Sequence, residues 1–163
     1  MTFVLVYGKM CMKSSDGGTT MKMTQEQFEA RKHEIIESNI RNYEKRDEEL
    51  NNLRREYYQG FEVGDGATVH YYTDAEAYTV IRRTPKMLVL QRDRATLKEG
   101  WKPEFITGGF AGHCINQHEQ EYDYEQDPEG HTIKVYWSDK RGAFLFNDKC
   151  VTPGRHEFYD YNF

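Results

Sequence analysis

Four arginines bracket one tight turn. Arg82 and Arg83 precede Thr84-Pro85-Lys86, and Arg92 and Arg94 follow it closely. On a chain of net charge -5, guanidinium groups gathered in one place repel one another unless an anion sits among them. That anion is either an internal carboxylate, such as Asp93 or Glu99, or a ligand phosphate gripped by parallel hydrogen bonds. Phe110 stands among Gly108, Gly109 and Gly112, residues that let the backbone bend sharply and approach another group. Its ring can pack in a core or lie against a base, where stacking contributes about 1 to 3 kcal/mol. Asn116 offers an amide to a base edge or to a turn. Arg155, after Thr152-Pro153-Gly154, suits a salt bridge or an anion. The candidate ligand-binding set is therefore Arg82, Arg92, Phe110, Asn116 and Arg155.

Other chemistries have thinner support. His113, Cys114 and His118 have spacing that lacks the second ligand pair of a structural zinc site, so no metal is expected. Gly64-Asp65-Gly66 lacks the phosphate-loop pattern and reads as a turn before a strand. No GxSxG is present. A nucleophile at Cys114, served by a histidine brought near by the fold, stays open as a nucleotide-hydrolase alternative. The expectation is binding without turnover and without a cofactor.

The elements that must position these residues follow from pattern. Val69–Tyr72, Tyr78–Ile81 and Met87–Leu90 are short β-branched or aromatic runs separated by turn residues, so they predict a bent antiparallel meander. Residues 94–104 read as a loop. Further strands are expected at 120–124, over HTIKVYW and AFLF, and in a closing EFYDYNF, about seven in all, rolled into a small barrel whose interior is expected to be a ligand cavity walled by positive charge and a flat ring. Upstream, Thr24 with Gln27 forms a capping-box pattern, and no Gly or Pro interrupts the chain until Gly60. The stripe Phe28, Ile36, Ile40, Tyr43, Leu50, Leu53, Tyr57 predicts one helix of roughly nine turns. A narrow stripe on so long a rod calls for a partner: its own sheet, or helices of other copies in a homo-oligomer.

The fold class expected is α+β: an arm and linker at 1–23, a long helix at 24–60 and a β-rich ligand-binding domain at 61–163. Charged residues make up 30% and apolar ones 37%, with aromatics at 14% supplying much of the burial. A pI near 5.7 disfavours a nucleic-acid polymer as partner. Three scattered cysteines suit free thiols in a reducing compartment. No apolar run approaches the roughly 20 residues of a membrane span, and Phe3–Tyr7 is too short for a signal peptide.

The run VGDGAT…YYTDAEAYTVI…TPKMLVLQRD, then GGF.GH, then Y.Y..DP.G, then GRHEFYDYNF, resembles small proteins of phage and prophage genomes over roughly residues 61–163. The helix followed by the YTD…A.TVI segment also resembles the first-described class of Thoeris anti-defence proteins. That resemblance implies a sponge acting in the host cytoplasm. It would bind a cyclic ADP-ribose isomer or related cyclic nucleotide without cleaving it, and it would assemble through the helix and the β-domain. A site between subunits would then draw Arg82 and Arg92 from one chain and Phe110 or Arg155 from its neighbour. The alternative is a phage structural or protein-interaction module with no small-molecule ligand.

Overall fold

The computed structural model describes residues 22–108 and 111–162. The chain is α+β, with a barrel-like β-domain. The helical segment is not one rod. It forms α1 (Gln25–Ser38) and α2 (Tyr43–Tyr58). The capping box starts α1 as expected: Gln27 N donates to Thr24 Oγ1 at 3.2 Å and Thr24 N to Gln27 Oε1 at 2.9 Å.

Two asparagines break the rod, because their side chains compete with the helical hydrogen-bond ladder. Asn39 Nδ2 donates to the Ile35 carbonyl and to Glu49 Oε2, at 3.2 and 2.8 Å. Asn42 Oδ1 caps α2 by accepting from Lys45 N. The two halves pack on each other. Phe28 stacks on Tyr57 with ring centroids 4.4 Å apart, and Leu53 completes the buried cluster. Arg31 Nη1 donates to both Glu56 oxygens. The apolar stripe thus finds its partner within the same segment. Its middle residues, Ile40 and Tyr43, sit at the bend and remain 64% exposed.

The β-domain is two three-stranded meanders. The first comprises β1 (Gly66–His70), β2 (Ala75–Thr84) and β3 (Met87–Leu97). The second comprises β7 (Thr132–Ser138), β8 (Ala143–Phe146) and β9 (Lys149–Pro153). Antiparallel pairing of β3 with β7 and of β9 with β1 closes them into a six-stranded barrel. Between the meanders lie a hairpin of β4 (Phe105–Gly108) and β5 (Ala111–Cys114), a single 3-10 turn, and β6 (Tyr122–Gln126). β6 pairs with the far half of β3, Asp93–Leu97, so β3 runs through part of the segment expected to be a loop. The β8–β9 turn uses Asn147 and Asp148 at positive φ, the conformation asked of a two-residue hairpin.

A barrel this narrow is filled by side chains rather than left hollow. Val69, Tyr78, Val80, Leu88, Leu90, Val135, Phe144 and Val151 close the interior, and Phe61 meets Phe144 edge-on at 6.0 Å. Through residue 162 the closing run is not a strand. It joins the sheet's main chain through one bridge, Ala75 to Phe158, and otherwise runs as a strap held by side chains.

Two outcomes check this packing. Phe28→Ala should loosen the helical hairpin by about 3 kcal/mol, within the range for buried Phe truncation, while barrel amides keep their protection in hydrogen exchange. At Gly130 an added Cβ would overlap the main-chain oxygen of Arg92. Gly130→Ala should therefore lower stability by about 2 kcal/mol in a urea melt.

Candidate functional site

The four arginines do not gather. Arg82 pairs with Val89 across the β2–β3 ladder, whereas Arg92 pairs with Tyr78. Three residues along β3 place them about 10 Å apart. The strands are longer than their apolar runs suggested, and that length separates the pairs. Arg82 is exposed on the outer face beside a bulge at Ile81. Arg83 Nη2 donates to the Gln59 carbonyl at 2.9 Å, and Arg94 reaches Asp127 at 3.5 Å.

Arg92 and Arg155 belong to a buried clasp. Arg92 Nη2 donates to Glu157 Oε1 at 2.5 Å, and its Nη1 donates to the carbonyls of Ala77 and Asp93, both at 2.8 Å. Arg155 Nε donates to Asp93 Oδ2 at 2.7 Å, and its Nη2 donates to Thr79 Oγ1 at 2.7 Å. Thr79 in turn donates to Asp93 Oδ1 at 2.6 Å. Neither of the two carboxylates named for the four arginines, Asp93 and Glu99, pairs with them: Glu157 serves Arg92, Asp127 serves Arg94, and the Asp93 carboxylate serves Arg155. Glu157 also accepts from Ala77 N, and its own N–H donates to the Tyr124 hydroxyl. Nearby, Tyr78 donates to Glu76 Oε2 at 2.6 Å; burial first, and then this carboxylate, holds its phenol protonated far above the usual range. The GRHEFYDYN run is thus the strap that locks the barrel. Farther along, Asp160 N donates to Asp74, and Asn162 exchanges two hydrogen bonds with the Cys114 main chain.

Asn116 is a loop tether. Its amide bonds the main chain at Lys102 and Glu104, and it is only 9% exposed. Phe110 lies outside the described residues. His113 and His118 are exposed while Cys114 is buried. Among the described residues no three His, Cys, Asp or Glu side chains are placed to hold a metal. The structure thus does not bring the four described candidates, Arg82, Arg92, Asn116 and Arg155, together; Arg155 also borders an open cleft.

That cleft, of about 360 Å³, lies where the start of α1 meets the β1–β9 pair. Gln25, Thr68, His70, Thr152, Arg155 and His156 line it, together with Pro153 and Gly154, and among the described residues no carboxylate does. Thr68 stands opposite Thr152 in the ladder, and His70 Nε2 lies 2.8 Å from Thr152 Oγ1. With Nε and Nη2 of Arg155 committed, its Nη1 has no hydrogen-bond partner among the described residues. Sequence reading missed His70, His156 and Thr152. They are more than 80 residues apart from end to end, and only the barrel-closing pair joins them; the one available signal was the polar side chains flanking Pro153-Gly154.

Burial, and then the neighbouring His156, lowers the His70 pKa from its ordinary 6.5. The folded state therefore prefers neutral His70. Its contribution to stability is complete above about pH 6.5 and is lost as pH falls through the lower folded value. His70→Gln should flatten the acid limb of stability against pH below about 6.5. Within the clasp, Arg155→Ala strands Asp93, whose side chain is 1% exposed. A cost of about 2 to 3 kcal/mol is expected in a denaturant melt, with Asp93→Asn in the same background recovering part of it. Comparison with protein-family models, with curated proteins and with solved structures finds no match to this chain.

Proposed function

We propose that this protein captures a small phosphate-bearing ligand at the His70–His156 cleft and holds it without turnover. One observation carries the reading. On a chain of net charge -5, the cleft is lined by two imidazoles, a guanidinium and threonine side chains, with no carboxylate among them. The imidazoles and the guanidinium supply hydrogen-bond donors to phosphate oxygens, and His70 gains a proton more readily once an anion sits beside it. The specific form of the proposal is the one the sequence resemblance implies: a homo-oligomeric phage protein that sequesters a cyclic ADP-ribose isomer or related cyclic nucleotide in the host cytoplasm. Because the barrel interior is packed by its own side chains, this reading seats the ligand on the outer surface and not in the expected interior cavity.

A second reading is favoured by a separate observation. The barrel has no room inside, and Arg92 spends its charge on Glu157, as a scaffold for protein interaction would have it.

Calorimetry with a panel of cyclic ADP-ribose isomers and cyclic oligonucleotides separates the two. Saturable binding is expected, with the ligand recovered unaltered after heat denaturation. His156→Ala should weaken binding about tenfold, the equivalent of 1.4 kcal/mol, without changing the melting temperature. Silence across the whole panel would remove the capture reading and leave the interaction module.

A further inference from the structure

A second cleft, of about 430 Å³, adjoins the first. The two share Gln25, Pro153 and Gly154. Their linings differ in kind. The first presents imidazole, guanidinium and hydroxyl groups. The second is lined by Met23, Tyr57 and Pro153, together with the paired Lys22 and Asp65. Tyr57 is held rigidly there by its stack on Phe28, at 4.4 Å between centroids. The Lys22–Asp65 pair neutralises itself, so this half offers apolar surface and one donor–acceptor edge rather than a net charge. Each half alone stands at the small end of ligand sites, which run from about 300 to 1,000 Å³.

We infer that the ligand is a two-part molecule. It is a phosphate ester whose anionic head lies among His70, Arg155 and His156 and whose ring or apolar body crosses Pro153 to rest against Met23. This rests on the capture reading above and adds the chemical class of the ligand to it. The physical argument is division of labour: a charged head fixes orientation, and burying an apolar body adds about 25 cal/mol per Å² of surface removed from water. A bare phosphate fills only the first half. A neutral ring finds only the second, without the charge contacts that hold it in place.

The test titrates the full chain, by calorimetry, with inorganic phosphate, phenyl phosphate and phenol. Phenyl phosphate is expected to bind at least about tenfold more tightly than phosphate, and phenol undetectably. Met23→Ser should erase the advantage of phenyl phosphate and leave phosphate binding as it was. His156→Ala should weaken both anions. The Met23 methyl resonance, assigned through Met23→Ser, should move with phenyl phosphate and stay still with phosphate. It reports on the wild-type chain and so does not depend on how the variants fold. Equal affinity for the two anions, or a tenfold advantage that survives Met23→Ser, would overturn the two-part ligand while leaving the anion cleft standing. No binding of either anion would instead overturn the capture reading on which the inference rests.

Discussion

Asp93 is the charge around which this β-domain closes. A carboxylate buried to 3% of its residue surface costs several kcal/mol unless it is paired and fully hydrogen-bonded. The barrel supplies one partner, Thr79, from the neighbouring strand. The other, Arg155, comes from 62 residues farther along the chain. The tail must therefore cross the outer face of β2 and β3 to satisfy the charge. Once it is there, Glu157 meets Arg92 and the Ala77 amide, and Phe158 bridges Ala75. One ionic requirement thus fixes the path of the whole closing segment.

The same economy appears in the helices. A charged rod with a narrow apolar stripe has to cover that stripe. Bending at Asn39 and Asn42 lets Phe28 from one half meet Leu53 and Tyr57 from the other. The hairpin then places the start of α1 beside the β1–β9 seam, so Gln25 joins His70 and His156 at one cleft. With the barrel interior packed by its own side chains, that seam is where polar groups are left facing outward together. The proposed capture site is thus a by-product of how the barrel is closed.

Arg155 links the two halves of this account. Two of its nitrogens are locked to Asp93 and Thr79, which holds the guanidinium in place, and the residue also lines the cleft. A guanidinium held in this way loses little freedom on meeting an anion, because the order is already in place before the ligand arrives. Asp93 partly neutralises the guanidinium, so in the proposed capture His70 adds a pH-dependent part to the attraction for an anion.

What the residues determine by themselves is local. The capping box of α1, the turn at Thr84-Pro85-Lys86, and the runs that became β1, β2, β3, β7 and β8 were all legible, because each depends on neighbours within a few positions. The α+β class and the rolled sheet follow from them. Tertiary structure decided the rest. The stripe Ile36, Ile40, Tyr43 keeps helical spacing through the break, so periodicity could not reveal the bend that Asn39 makes with Glu49. The four arginines looked clustered because sequence distance ignores strand length. The tail looked like a strand because its aromatic residues fit either role, and only Asp93, waiting buried on β3, decided that it would be a strap. His70 and His156 carry no pattern at all. They meet because β9 pairs with β1, and a pairing across more than 80 residues is a property of the closed barrel rather than of either segment.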